Sequence, residues 1–155
     1  MSQGMSVRKK LLHLWVSGLL IIGVSFNAWG NGSIYTGWLS NKAVSGYDPV
    51  AYFTEGEAIK GKPDFIWSYQ GADWYFSSKK HMKLFKSDPE KYSPQYGGHC
   101  AWAIAVKGRK VAGDPIYWTI VKDKLFLNYN QSTQKKWRST STQMIRDGDK
   151  NWAAQ

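Results

Sequence analysis

The chain is short of cysteine, of acidic residues and of long apolar runs, and each shortage excludes something. Its 155 residues hold one cysteine, Cys100, so no intramolecular disulfide can form and stability must come from packing. Eleven Asp and Glu stand against 21 Lys and Arg, a formal net charge of +10. No paired-carboxylate arrangement, serine triad or phosphate-cradling glycine loop is evident. Asp48, Asp114 and Asp147 sit in YDP, GDP and RDG, contexts in which aspartate usually shapes turns, and they are assigned no catalysis. The longest apolar run, Leu11 to Val24, falls short of the ~20 residues a membrane-crossing helix needs.

That short run follows Arg8, Lys9 and Lys10 and ends near Ala28, Trp29 and Gly30, the layout of a cleaved secretory signal. Residues 1–30 are therefore expected to be a signal peptide, with an uncleaved anchor as the alternative, and the mature protein to be periplasmic or secreted. The remainder is one ordinary domain, large enough to bury a core. Its basic residues come in short groups such as KGRK (107–110) and KKWR (135–138), without a nucleic-acid recognition motif. A solvated cationic surface is expected, with weak attraction to anionic lipid or cell-wall polymer as a secondary property and no nucleic-acid partner.

Aromatic residues make up 15% of the chain, so rings must build much of the core or line a pocket. Residues 31–45, rich in Gly, Ser and Asn, read as a loose leader, and the folded part begins at GYDPVAYF (46–53). FIWSY (65–69) and WYFS (74–77), separated by QGAD, predict a hairpin, and YWTIV (117–121) with KLFLNY (124–129) predicts a second. Ala101 to Val106 reads as an apolar stretch leading into that second hairpin. Helical pieces are expected near 132–138 and 142–152. No internal repeat and no low-complexity segment is evident. The expected fold is α+β, a small single domain with two antiparallel hairpins packed against short helices.

The helix after the first hairpin, SSKKHMKLFKS, is capped by Ser77 or Ser78. At 100° per residue His81, Leu84 and Phe85 share the inner face, Met82 flanks it, and lysines cover the outer face. An inward histidine is either hydrogen-bonded or a ligand holder, since leaving it unpaired costs about 1 to 3 kcal/mol. In YGGHCAWA (96–103), His99 and Cys100 are adjacent and so point apart, unless the glycine turn bends them together.

These segments, from GYDPVAYF through WYFSSKKHMKLFKSDPEKY and YGGHCAWA to GDPIYWTIVKDKLFLNYN and DKNW, resemble the secreted single-domain members of the YHS family, over about residues 46–152. The YHS family is related to TRASH-type metal-binding domains, whose FCxxxCxxxF pattern would set its cysteines at Ser77 and His81 and its closing aromatic at Phe85. Here the thiols are replaced, and His99 stands where tyrosine is more frequent.

The resemblance implies an exported, non-enzymatic domain that handles metal. Thiolate with imidazole suits copper, Cu(I) in particular, or zinc. The expected site pairs His81 with Cys100, takes Met82, His99 or water as a third donor, and is walled by Tyr96 and Trp102. A membrane-bound metal transport partner is the expected protein contact. The bland reading makes Cys100 a buried small residue under Trp102. The alternative function is a metal-free domain that holds a small ligand or a partner protein in an aromatic pocket. A thiol enzyme is a third option, which needs a base oriented on Cys100.

Overall fold

The computed structural model describes residues 34–155. The expected signal, residues 1–30, lies outside the described residues. Among the described residues no helix is long and apolar enough to cross a membrane.

The first hairpin consists of β1 (Lys62–Tyr69) and β2 (Ala72–Phe76), antiparallel. Before it come a 3-10 turn, Ala43–Gly46, and a one-turn helix, α1 (Ala51–Thr54); after it come α2 (Lys79–Ser87) and α3 (Pro89–Tyr92). Ser78 caps α2 by accepting the His81 N–H at 3.1 Å. Phe85, fully buried, ties α2 to the hairpin with ring centroids 4.7 Å from Trp74 and 5.3 Å from Phe76. Ala43 and Val44, within the stretch read as a leader, are buried, and Tyr35 donates its N–H to the Gly97 carbonyl.

The second half opens with a 3-10 turn, Gln95–Gly98, and α4 (Ala101–Lys107), continues through β3 (Asp114–Val121) and β4 (Lys124–Asn128), and closes with α5 (Gln131–Ser139) and α6 (Ser141–Ala153). The apolar stretch 101–106 is thus a helix, stopped by Gly108 in the left-handed conformation at φ 58°. The α+β architecture with two antiparallel hairpins against short helices is the expected one.

The two halves are the same structure twice, which corrects the reading that the chain has no internal repeat. The strands and the helices after them lie 52 residues after their counterparts (62 to 114, 72 to 124, 79 to 131), and α4 spans and extends the shifted position of α1. The strand registers coincide under that shift: Ile66↔Tyr75 becomes Trp118↔Leu127, and Tyr69↔Ala72 becomes Val121↔Lys124, with a bulge at the same place in both hairpins. The Asp48 N–H to Ile59 carbonyl bond recurs as Cys100 N–H to Val111, both 2.8 Å. The helix cap Ser78 recurs as Asn130, which accepts from Thr133 N–H, and Ser87 as Ser139, each hydroxyl bonding the carbonyl three residues back. The buried pair Trp74–Phe85 recurs as Phe126–Trp137, at 4.7 and 4.8 Å and the same 37° tilt. The repeat escapes a reading of residue types because it preserves positions while exchanging side chains, such as Asp48 for Cys100 and His81 for Thr133.

The halves share their interior. Leu125 and Leu127 of β4 belong to one apolar cluster with Val44, Trp74, Phe76 and Phe85 of the first half. A second cluster, around Tyr96, Ile104, Phe126 and Trp137, is covered by α6 through Met144, Ile145 and Trp152. The C-terminal helix therefore closes the second repeat.

Candidate functional site

Asp48 organises the polar centre of the first repeat. Its side chain is fully buried, a costly place for a carboxylate unless donors surround it. Four do: Oδ1 accepts the Val50 N–H at 2.9 Å, and Oδ2 accepts the Ser77 N–H at 2.7 Å, the Ser77 hydroxyl at 2.6 Å and His81 Nδ1 at 2.7 Å. Pro49 and the one-turn α1 that follows set the first contact, the end of β2 the next two, and the first turn of α2 the last. An acceptor on Nδ1 fixes the imidazole proton there and leaves the Nε2 lone pair facing outward.

Nε2 looks toward α1. Thr54 Oγ1 is 3.3 Å away and can donate to it or to the Val50 carbonyl at 3.2 Å. Glu55 Oε1, half exposed, stands 3.6 Å from Nε2. An imidazole lone pair and a carboxylate at that distance can share a metal ion. Both are hard-to-borderline donors, suited to Cu(II) and Zn(II) more than to Cu(I). Ser77 and His81, the two positions marked by the resemblance to metal-binding domains, meet on Asp48 with Ser77 Oγ 3.2 Å from His81 Nδ1.

The other expected ligands have different neighbours. Cys100 is buried, its sulfur accepting the Tyr129 N–H at 3.2 Å and facing Asn128 Oδ1 at 3.9 Å. Asn128 Oδ1 also accepts the Trp102 N–H at 3.2 Å, acting as a borrowed cap for α4. His99 donates from Nδ1 to the Tyr96 carbonyl at 2.9 Å and lies between the rings of Tyr35 and Trp152. Burial pushes its pKa below the ordinary imidazole value; the Tyr96 carbonyl opposes that shift and the Lys110 charge adds to it. Among the described residues, no hydrogen bond or ion pair joins His81 to Cys100 or His99. Met82 is half-buried against the first cluster. Among the described residues no group of three or more His, Cys, Asp or Glu side chains is arranged to hold a metal ion.

Tyr96 belongs to the second apolar cluster, and Trp102 packs against it. Tyr96 is buried, donating its hydroxyl to Asp149 Oδ1 at 3.0 Å, and burial followed by the Asp149 charge raises its pKa. Trp102 is half-buried beneath two lysines, with Lys107 Nζ 5.4 Å and Lys136 Nζ 5.8 Å from its ring centre. One open surface hollow, of about 450 Å³, is lined by Lys79, Lys80, Lys83 and Leu84; another by charged residues around Asp88 and Lys124.

Sequence reasoning missed Asp48 and Glu55. The YDP context of Asp48 points only to a turn, which it also forms, and its second duty depends on a contact 33 residues away in the chain. Glu55 lies in the polar loop after α1, where nothing in the local pattern points to His81.

Residues 50–96 match the model of a known family, the YHS domain. No curated protein and no solved structure matches the chain.

Proposed function

The chain belongs to the YHS domain family through residues 50–96, and from that premise we propose that it is an exported, non-enzymatic metal-handling protein. Its cargo is a divalent borderline ion, copper first and zinc second. His81 Nε2 and the Glu55 carboxylate hold the ion, water completes its shell, and Asp48 orients the imidazole.

The observation that carries this reading is the 2.7 Å contact of Asp48 with His81 Nδ1, which turns Nε2 toward Glu55 at 3.6 Å. A carboxylate behind a ligand imidazole both fixes the tautomer and raises ligand basicity. The second repeat supplies an internal comparison. It builds the same fold with Cys100, Lys107 and Thr133 where the first has Asp48, Glu55 and His81. The fold needs an acceptor at the first of these positions, and Cys100 provides one. It needs neither an imidazole nor a carboxylate at the other two, so their presence in the first repeat calls for another reason. Two protein donors make an open, exchangeable site, suited to passing an ion on rather than to stapling a fold.

The test is a competition titration of the full, metal-stripped chain with Cu(II) and Zn(II) against a chromogenic chelator. His81→Gln and Glu55→Gln are expected to weaken binding at least about tenfold, and Asp48→Asn by about 10- to 100-fold. Cys100→Ser is expected to bind as the parent does. Unchanged affinity in His81→Gln overturns the site, and a loss confined to Cys100→Ser assigns the ion to the thiol.

A further inference from the structure

The two basic groups of the sequence, KGRK (107–110) and KKWR (135–138), come together in space. Lys107 ends α4 and Lys136 lies on α5, and both ammonium groups stand over the Trp102 ring. Lys110, three residues after Lys107, stands 5.2 Å over Trp152, whose ring packs against the same cluster as Trp102. No aspartate or glutamate occurs in residues 91–113 or 124–146, so these two segments supply no counter-charge of their own. Val106 shares a face of α4 with Trp102, four residues before it, and is 51% exposed. Tyr129, held at the start of α4 by its N–H bond to Cys100, is 56% exposed.

The first repeat shows that the fold does not require this surface. Where the second repeat has Val106, Lys107 and Tyr129, the first has Thr54, Glu55 and Ser77. The second repeat has exchanged a small polar site for exposed apolar groups among lysines.

We propose that this face of the second repeat, Trp102, Val106, Lys107, Lys110, Tyr129 and Lys136, docks on the anionic surface of a phospholipid bilayer. Tryptophan and tyrosine favour the headgroup level, where the ring meets hydrocarbon and the polar edge meets water. Lysine stems lying along the rings reach phosphate oxygens with their ammonium groups. An exposed valine adds shallow apolar contact. Exposed apolar groups set among lysines offer a bilayer a broad contact.

Full-chain protein is sedimented with vesicles of phosphatidylcholine alone and of phosphatidylcholine with phosphatidylglycerol, across a salt series. Binding to neutral vesicles gives the background of the apolar N-terminal run and is subtracted. Each lysine near an anionic surface contributes about fivefold, so Lys107→Gln/Lys110→Gln/Lys136→Gln is expected to weaken the anionic, salt-sensitive binding about 100-fold. Val106→Asp is expected to weaken it as well. Lys79→Gln/Lys80→Gln/Lys83→Gln removes the same charge from α2 and is expected to change it less than about threefold. Equal losses in the two triple variants would mean that net charge alone acts, and would overturn the proposal. Equal binding to neutral and anionic vesicles, or capture by polyglutamate with no vesicle binding, would overturn it too.

Discussion

Asp48 and Cys100 occupy one position in the two halves of the chain, and each accepts the backbone N–H of the residue that leaves its hairpin: Ser77 at 2.7 Å from the carboxylate, Tyr129 at 3.2 Å from the sulfur. The same architectural duty is met once by a charge and once by a nearly neutral atom. Only the carboxylate also holds an imidazole, that of His81 at 2.7 Å.

Asp48 serves four donors and His81 only part of them, so their removal should differ. Asp48→Ala strands the Val50 and Ser77 amides, the Ser77 hydroxyl and the imidazole, and is expected to cost about 3 to 5 kcal/mol. His81→Ala leaves Asp48 with three donors and is expected to cost about 1 to 3 kcal/mol. Urea unfolding measures both, and the reverse order would contradict the central role given to the carboxylate.

The repeat predicts paired sensitivity at two glycines. A Cβ on Gly61 would lie 2.5 Å from the Tyr75 carbonyl carbon, and one on Gly113 would lie 2.8 Å from Leu127 Cβ, the counterpart of Tyr75. Gly61→Ala and Gly113→Ala are each expected to destabilise by about 1 to 3 kcal/mol. Having separate neighbours, they should add to within about 0.5 kcal/mol in the double variant, as thermal unfolding of all three would show.

His99 gives a pH dependence with a definite sign. Burial lowers its folded pKa, so the unfolded chain takes up the proton more readily. Its contribution is fully present above the unfolded value of about 6.5. It is lost as pH falls below that value, and the loss levels off once pH passes the lower folded pKa. His99→Tyr should flatten that part of the stability curve. A variant as pH-sensitive as the parent between pH 7.5 and 5 would argue against it.

The site should be transferable within the molecule. Cys100→Asp, Lys107→Glu and Thr133→His place the three residues of the first repeat at their 52-shifted positions. The triple variant is expected to bind two equivalents of Cu(II) where the parent binds one, read by titration, provided its circular dichroism matches the parent. A folded variant with one equivalent would mean that more than these three side chains builds the site.

Much of the fold was legible because it rests on local signals. The aromatic and apolar runs FIWSY and KLFLNY, the serine cap before α2 and the inward Phe85 each point to one structure. The helix at 101–107 was less so: its apolar run fits strand or helix equally until Gly108 ends it. His81 was read as inward-facing, and it is buried. Its partners were hidden because a hydrogen bond across 33 residues leaves no trace in periodicity. The repeat left a faint one, GKP at 61–63 and GDP at 113–115, glycines kept where the backbones crowd.

The interleaving of Leu125 and Leu127 with Val44, Trp74 and Phe85 means that neither half can hide its greasy surface unaided. A chain divided after Pro94 should yield two fragments that stay disordered apart and knit into one particle on mixing.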